Sequence, residues 1–568
     1  MSKQRTESLG PWQKGINNSS RDYVLPKGAC LDSLNVDFTA EGYPRSRTGY
    51  GGTQARTNAR GLVNVGGKSF IAVGGTLSLV TNPSPLALTT IRTGLSVRPI
   101  SYAERGGEVW WSDGVSSGRV NSDNSSSPWS VPAPADITLI ASGAGTLSPG
   151  TYRVAITHSM SDGEESHAST VASFVLSAAG SIVVTLPTAT AGTTNFNVYC
   201  SIADGSIMNL YSTVSAATGS VSITAKPQWK QLGNLEFLRP LPAGDAICFH
   251  NGRLCSMKGR DVFYSDPFNY GLYLPDEGYI DLGSDGSILA SVETGLFVAA
   301  DKTWFYSGTD MASLDPVEIL PFGAASGTAF KHPAGNNLVG WYSDEGLVIG
   351  AQDGSAKMIQ RDNGFIAPVG ESGSVWVKRR DGMTHVIVSL DSSADYNKEV
   401  SEDFTVSRVL YNDDATTMSV NLDTGATSRY SGWHFNSYAQ IGGNDYGCDS
   451  VGLSLLEGDD DNGTPVESLI HCGRVGYGSI QIKAPECVYV AGKSSDLFAV
   501  DIILPDATTY EYLARNFTDK PGVVRIDGMK GLMNTRLPWF STVVRNYNGG
   551  VIEASAVQVV INESDRRI

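Results

Sequence analysis

The sequence predicts an all-β protein, with a β-propeller-like body, an inserted immunoglobulin/fibronectin-like sandwich and a C-terminal β-rich platform. Glycine accounts for 63 of the 568 residues and charged residues for only 18%, whereas the Ala-, Glu-, Lys- and Leu-rich runs of helical bundles are rare. Short apolar runs are separated by glycine-centred turns roughly every eight to twelve residues, as in all-β folds. Similar strand–turn–strand units also recur at roughly 40–50 residues, a spacing typical of propeller blades.

Residues 1–60 predict an extended N-terminal arm that packs on something larger. Turn signals follow one another closely, at Gly10-Pro11, Pro26-Lys27-Gly28 and Gly42-Tyr43-Pro44. The only stretch with a helical pattern is Gly28 to Val36.

Residues 61–135 and 228–403 predict the propeller-like domain. Each unit has an apolar strand, a glycine-centred turn, a second strand and an aromatic-Ser-Asp/Gly step, such as WWSD at 110–113 and FYSD at 263–266. These steps are expected to end the third strand of a blade. An irregular β-sandwich is the alternative interpretation. The units are Gly61–Val80, Ile100–Asp113, Ala246–Asp266, Ile288–Gly308, Leu338–Ile359 and Ser374–Leu390.

Residues 136–227 interrupt this series and predict an inserted sandwich. A Ser/Pro-rich linker at 125–134 precedes the segment, in which Tyr152, Val154 and Ile156 alternate before a turn at Asp162-Gly163. About 90 residues of short alternating strands fit an immunoglobulin or fibronectin-type sandwich. The stretch PGTYRVAIT…DGEES resembles a fibronectin type III module, and loops between blades tolerate such insertions.

Residues 404–568 predict a C-terminal β-rich domain in which the blade pattern fades. Its strongest signal is a hairpin, with strands at Trp539–Tyr547 and Val551–Ile561 joined by Asn548-Gly549-Gly550.

The charge distribution argues against a protein that grips nucleic acid. The net charge is −16. The first 60 residues carry nine Lys/Arg against five Asp/Glu and residues 501–568 carry eight of each, so residues 61–500 carry −20. Phosphate neutralisation needs a basic face, although an acidic wall would let DNA pass without adhering. The plainer interpretation of the charge is solubility. The seven cysteines include no CxxC pair, which favours free thiols in a reducing compartment.

No motif predicts catalysis. Gly114 to Gly118 matches GxSxG but no helical pattern follows, and Gly67-Lys68-Ser69 lacks the first glycine of a phosphate-binding loop. The seven histidines are scattered. We therefore predict no enzyme and no catalytic, cofactor-binding or metal-ligating residues. The N-terminus lacks an apolar leader region, and no run of about 18 apolar residues predicts a membrane span.

The N-terminal arm resembles the start of the tail nozzle (tail tubular protein B-like) proteins of short-tailed bacteriophages. YSDPF at 264–268 and the ending ESDRRI at 563–568 are similar to phrases of the same family. The inserted segment 136–227 departs from the family pattern. The arm phrases are Leu9-Gly10-Pro11-Trp12, Gly15-Ile16-Asn17-Asn18, Leu25-Pro26-Lys27-Gly28-Ala29, Asn35-Val36-Asp37 and Gly42 to Tyr50.

The resemblance implies a structural virion protein, assembled in the host cytoplasm, that forms a hexameric nozzle ring with peripheral propellers around a genome channel. It implies adaptor and portal proteins above, tail fibres or needle/tip proteins alongside, and transient non-specific passage of double-stranded DNA. Host-envelope contact would run through 136–227. Arginine and aromatic side chains are common interface anchors, so we expect arm residues to clasp a neighbouring subunit. The predicted assembly residues are Trp12, Asn17, Asn18, Arg45, Arg47 and Tyr50.

Two other functions stay open from the sequence. A host-surface glycan-binding tail protein would use the sandwich and the repeated aromatics Trp110-Trp111, Tyr264, Trp304, Tyr306 and Trp341-Tyr342 as a platform; packing between blades is the alternative role for those rings. A propeller glycoside hydrolase would need two placed carboxylates, which the sequence cannot select among 58 acidic residues.

Overall fold

The fold is described from a computed structural model and has two compact units. Unit 1 comprises Met1–Ser101, Gly286–Thr309 and Leu314–Ile568, and unit 2 comprises Tyr102–Asp285 and Asp310–Ser313. Antiparallel sheets dominate both, which confirms the predicted all-β class. The structure describes residues 3–161, 163–228, 230–308, 310–335, 337–380, 382–411, 416–474, 481–514, 521–527, 529, 532 and 537–567.

Six four-stranded sheets in the described ranges are propeller-type blades, which we label A to F; A, D, E and F lie in unit 1, and B and C in unit 2. Their strands are, for A, Ala59–Val65, Lys68–Val73, Thr76–Pro83 and Leu86–Thr93; for B, Ser101–Arg105, Glu108–Ser112, Ser117–Val120 and Ser126–Ser127; for C, Ala246–His250, Arg253–Lys258, Asp261–Tyr264 and Tyr279–Asp281; for D, Ile288–Val292, Gly295–Ala299, Thr303–Ser307 and Asp315–Leu320; for E, Phe330–Lys331, Leu338–Ser343, Gly346–Ala351 and Ala356–Met358; for F, Ser437–Ile441, Asn444–Cys448, Gly452–Leu455 and Gly51–Ala55.

Tight turns and shared apolar faces build the blades. Asn251 and Gly252 join the first two strands of blade C with φ of 42° and 74°, as a two-residue turn with positive φ at both positions requires. Within unit 1, Phe297 of blade D and Trp341 of blade E pack into one core, with ring centroids 5.2 Å apart. Each blade thus buries a face that it could not cover alone.

Blade F corrects the predicted propeller boundary at residue 403. The chain at 437–455 repeats the pattern of blade B, with Ser-Tyr-Ala at 101 and 437 and Gly-Gly at 106 and 442. Asp113 and Asp449 each follow the second strand and accept two backbone N–H groups in the next turn. The N-terminal strand Gly51–Ala55 completes this blade beside Gly452–Leu455.

The aromatic-Ser-Asp/Gly steps occupy two different places in the blades. FYSD at 263–266 and FYSG at 305–308 follow third strands, as predicted. WWSD at 110–113 and WYSD at 341–344 follow second strands instead. The prediction was therefore wrong for those two, because blades B and E have one strand fewer before the step than blades C and D.

The inserted sandwich lies in unit 2 and is confirmed as two facing sheets. Tyr152, Val154 and Ile156 alternate into its core, where they meet Phe196 and Val198. The three-stranded sheet has Thr138–Leu147, Gly180–Thr185 and Ser220–Ile223, and the four-stranded sheet has Ala172–Leu176, Gly150–Ser159, Asn195–Ser201 and Met208–Ser215. Unit 2 also pairs Arg239–Pro240 with Leu272–Tyr273 and has 3-10 turns at Gly233–Glu236 and Met311–Ser313.

The platform of unit 1 consists of two large sheets, which confirms the predicted β-rich C-terminal region. The eleven-stranded sheet has Gly15–Ile16, Ala29–Cys30, Asp32–Leu34, Gly373–Arg380, Met383–Leu390, Thr417–Asn421, Thr427–Tyr430, Leu469–Arg474, Phe498–Ile503, Thr509–Ala514 and Ser541–Asn546. The six-stranded sheet has Lys3–Leu9, Val36–Phe38, Pro44–Ser46, Gln481–Ser494, Gly522–Asp527 and Ile552–Arg567. Around them lie the α-helix Glu402–Leu410, the 3-10 turns Asp22–Val24 and Arg361–Asn363, and the ladder Asp460–Asp461 with Thr464–Pro465.

The N-terminal segment is part of this platform rather than a separate extended arm. Lys3–Leu9 pairs with the last strand in register from Lys3 opposite Glu563 to Leu9 opposite Val557. The stretch predicted as helical, Gly28 to Val36, instead supplies two short strands: Ala29–Cys30 pairs with Gly15–Ile16, and Asp32–Leu34 pairs with Leu469–Arg474. Pairing with a distant strand overrides the weak local helical preference.

Two further predictions in the platform were wrong. Residues 374–390 do not form a blade, because Met383–Leu390 pairs onward with Thr417–Asn421 in the eleven-stranded sheet. The strands around Asn548-Gly549-Gly550 do not pair with each other. Ser541–Asn546 joins the eleven-stranded sheet, and Ile552–Arg567 joins the six-stranded one. Each strand has an apolar partner elsewhere, so the turn connects two sheets.

Candidate functional site: the arm seat

Four of the five arm phrases that carry the family resemblance place side chains in a largely polar, buried region of unit 1, which we call the arm seat. It consists of six side chains from the N-terminal segment and the platform groups that they contact. Each of the six is less than 9% exposed, so the seat is part of the interior. The six are Trp12, Asn17, Asn18, Asp32, Asp37 and Arg47.

Asn17 and Asn18 attach the segment to the turn at 361–366. Asn18 Nδ2 donates to the Ile366 carbonyl at 2.9 Å, and the Ile366 N–H donates back to Asn18 Oδ1 at 2.6 Å. The Asn18 side-chain amide thus makes the same pair of hydrogen bonds to Ile366 that a neighbouring strand would make through its backbone. Asn17 Nδ2 donates to the Asn363 carbonyl at 3.0 Å.

Asp32 forms a bidentate ion pair with Arg429 in the centre of the eleven-stranded sheet. Arg429 Nη2 and Nε donate to the two carboxylate oxygens at 2.6 and 3.1 Å, and both residues are 1% exposed. Ser407 Oγ adds a hydrogen bond to Asp32 Oδ2 at 3.0 Å. Such a pair is stable in the interior because fork-like geometry and a further donor satisfy the carboxylate.

Asp37 accepts three side-chain hydrogen bonds. Lys378 Nζ and Ser419 Oγ each donate at 2.7 Å, and the Tyr430 hydroxyl donates to the same oxygen as Ser419. Burial raises the pKa of Asp37, but Lys378, His385 and these donors outweigh burial, so that the pKa is held well below its usual range. Asp37 is therefore ionised and forms a buried ion pair with Lys378.

Arg47 has a partner for every N–H direction of its guanidinium. It donates to Asn35 Oδ1, to the Thr48 and Ser431 carbonyls and to both carboxylate oxygens of Asp461. The guanidinium carbon also lies 5.3 Å from the Tyr430 ring centroid and 4.8 Å from that of Trp433. Lysine could not reproduce this arrangement, because its compact ammonium group has three N–H donors and no planar fork that can pair with a carboxylate and stack on rings.

Arg47→Lys is expected to lower the free energy of unfolding by about 2–3 kcal/mol, since charge-assisted bonds and stacking are lost while the charge stays. Chemical denaturation followed by tryptophan fluorescence measures the change. The matched control is Arg260→Lys, whose ion pair with Asp281 is solvent-exposed. Equal losses in the two variants would contradict the interior role of Arg47.

The structure places four of the six predicted assembly residues in the interior of unit 1. Trp12, Asn17, Asn18 and Arg47 are covered by their own chain and so are not available to a neighbouring subunit. Arg45 and Tyr50 are half-buried, and Tyr50 packs edge-on against Phe435 with ring centroids 5.1 Å apart. The N-terminal segment thus clasps the platform of its own protomer.

His471 lies beside this seat and was not singled out by the sequence. It is 4% exposed, Nδ1 is 3.1 Å from Ser407 Oγ, and Nε2 has no hydrogen-bond partner among the described residues. Burial lowers the pKa of His471 from 6.5 to about 4. The sequence around a single histidine in a strand does not indicate whether that side chain is buried.

We expect the contribution of His471 to the free energy of unfolding to fall by about 3 kcal/mol as the pH drops from 6.5 to 4, because the unfolded state gains a proton on His471 first. His471→Gln is expected to lose this dependence. Burial raises the pKa of Asp22 to about 7, which acts with the opposite sign in the same window. The difference between wild-type and variant denaturation curves at each pH therefore isolates His471. Parallel curves would contradict the expectation.

The aromatic side chains considered for glycan binding lie mostly in the interior. Trp110, Trp111, Tyr264, Tyr306, Trp341 and Tyr342 are all less than 9% exposed, and Trp304 is half-buried. The packing role is therefore the one that the structure gives these rings.

Among the described residues, no group of three or more His, Cys, Asp or Glu side chains is placed to hold a metal ion. No helix in the described part of the chain has the length and apolar character of a membrane span.

No family model and no curated protein sequence matches this chain. Among solved structures, a chain of the mitotic checkpoint complex aligns at a TM-score of 0.31 and 7% identity, covering 80% of this chain and 94% of that one. The Pan2 WD40 domain of Neurospora crassa aligns at a TM-score of 0.25 and 11% identity, covering 60% and 86%. YCF48, from a structure with a bound D1 peptide, aligns at a TM-score of 0.23 and 10% identity, covering 63% of this chain and 94% of that one. Likenesses at these TM-scores carry no argument about function.

Proposed function

We propose that this protein is a structural component of a short-tailed bacteriophage virion: the tail nozzle, a ring that serves as conduit and gate for retaining and ejecting the genome. The proposal includes assembly in the host cytoplasm, a homo-hexamer, and adaptor or portal proteins above the ring with fibre or tip proteins alongside. It assigns no catalytic step and no cofactor to the chain.

One observation supports the proposal most: four of the five N-terminal phrases that resemble the nozzle family supply side chains of the arm seat. Asn17-Asn18, Asn35-Val36-Asp37 and the stretch to Arg47 each place a side chain in a specific buried contact. The resemblance therefore concerns residues on which this fold depends.

Charge gives separate support for a conduit. The deficit of basic residues between 61 and 500 leaves that region at −20. Carboxylates repel phosphates, so a wall rich in them would let duplex DNA slide without adhering.

The test is the copy number and position of the chain in purified phage particles, by quantitative mass spectrometry and antibody-labelled electron microscopy. We expect about six copies at the distal end of the tail, as a closed cyclic ring requires. Copies in multiples of about three on peripheral appendages would replace the nozzle with receptor binding. Absence from particles would overturn the proposal, and polysaccharide cleavage would be tested next.

A further inference from the structure

Two cysteines face each other across the central hairpin of blade C. Cys248 on Ala246–His250 and Cys255 on Arg253–Lys258 are direct partners in the antiparallel register. The turn at Asn251-Gly252 sets this register, with His250 opposite Arg253. Directly opposite residues of an antiparallel pair have Cα atoms about 4.5–5.5 Å apart. That separation falls within the range that a disulfide spans.

The thiols also share one face of the hairpin. The neighbouring pair, Phe249 and Leu254, packs into the core formed with Trp110 of blade B. Side chains alternate along strands, so Cys248 and Cys255 both point to the other face. A hydrogen bond with Cys248 and burial together raise the pKa of the Cys255 thiol. The sulfur atoms are thus neighbours.

The two thiols differ in access. Cys255 is fully buried, whereas Cys248 is half-buried. The structure describes all seven cysteines, and the other five are buried as well. Cys248 is therefore the thiol that a reagent in solution reaches first, and Cys255 is the thiol placed behind it.

We propose that Cys248 and Cys255 form a dithiol modification site that closes to a disulfide by exchange with a small disulfide such as oxidised glutathione. The Cys248 thiolate attacks one sulfur of glutathione disulfide, forms a mixed disulfide and releases one glutathione thiol. The Cys255 thiolate then attacks the Cys248 sulfur and releases the second. Two protein thiols are oxidised, one small disulfide is reduced to two thiols, and the two protons neutralise the leaving thiolates.

In a reducing compartment Cys248 and Cys255 of blade C would stay free thiols, and in an oxidising one they would be joined by a disulfide. The closed loop would run only from residue 248 to 255, so the cross-link acts on local opening of this hairpin more than on global stability. The site follows from the register of blade C alone, and so it does not depend on the proposed function.

The experiment uses the full-length protein, reduced, desalted and incubated with glutathione buffers of increasing oxidised fraction. After alkylation, intact-mass and peptide mass spectrometry locate each modification. We expect the loss of two hydrogen atoms, a 248–255 cross-link and no lasting glutathione adduct. Cys255→Ser is expected to accumulate the mixed disulfide at Cys248, and Cys248→Ser to form neither product. Cys448→Ser, a buried control, should behave as wild type.

A second measurement covers the case in which Cys255→Ser does not fold. Phenylarsine oxide binds two neighbouring thiols at once, and we expect the reduced wild-type protein to take up one equivalent through Cys248 and Cys255. Prior closure of the disulfide should abolish uptake. A stable mixed disulfide at Cys248 in the wild type, a cross-link between other cysteines, or arsenical uptake that survives Cys248→Ala would each overturn the proposal.

Discussion

Asp37→Ala is expected to lower the free energy of unfolding of unit 1 by about 3–5 kcal/mol, because it leaves a buried lysine without its counter-ion. Lys378 is 4% exposed, and its other polar contact in the seat is Thr48 Oγ1 at 3.3 Å. The variant also removes the acceptor of Ser419 and Tyr430. Equilibrium denaturation in urea, followed by tryptophan fluorescence, measures the loss.

Two controls separate this effect from general damage. Glu318→Ala breaks an exposed pair with Lys302, whose N–O distance of 2.8 Å is almost the same, and should cost far less, because exposed ion pairs contribute little to stability. Asp37→Ala combined with Lys378→Met should recover much of the loss, since no charge is then left buried. If Asp37→Ala costs no more than Glu318→Ala, the seat does not hold the N-terminal segment.

Gly15→Ala is expected to cost about 3 kcal/mol or more, or to prevent folding, because Gly15 lies against another backbone. It has φ of +65°, and a Cβ there would lie 2.3 Å from the Thr427 nitrogen. Gly15 pairs with Ala29 on one side and Thr427 on the other. The Thr427 carbonyl oxygen would lie 2.7 Å from the same Cβ, and these backbone atoms cannot turn aside as a flexible side chain would. Soluble yield and the midpoint of thermal unfolding measure the effect.

Gly28→Ala is the matched control for this substitution. Gly28 belongs to the same segment and also has positive φ, +86°, but the nearest atom to its Cβ position is 3.8 Å away. It should cost about 1–2 kcal/mol, from left-handed backbone strain alone. Similar losses in the two variants would show that the close approach at Gly15 does not matter.

Local patterns were sufficient for the elements whose partners are near in sequence. The hairpin of blade C follows from Asn251-Gly252 between two apolar runs, because that dipeptide favours the positive φ of its turn. The inserted sandwich follows from the alternation of Tyr152, Val154 and Ile156. Blade F was predictable too, since 437–449 repeats the phrase at 101–113, but its fourth strand comes from residues 51–55.

Long-range pairing decided the rest. The strands on either side of Asn548-Gly549-Gly550 have the pattern of a hairpin, yet they belong to different sheets because each finds an apolar partner elsewhere. The arm residues likewise have the amino-acid types of a subunit interface. Their burial shows that most of them contact the platform of the same chain. Neither amino-acid composition nor strand periodicity indicates whether an arginine or aromatic side chain binds its own chain or another one.

The sequence by itself determined the all-β class, the repeated blades, the insertion and the acidic middle, because turn chemistry and strand alternation act between residues close along the chain. Only the tertiary structure decided where the N-terminal segment lies and which charges are compensated. Asp32 meets Arg429, and Asp37 meets Lys378, across more than 340 residues. Such pairs form because burial makes an unpaired charge costly, and burial exists only once the distant strands have come together.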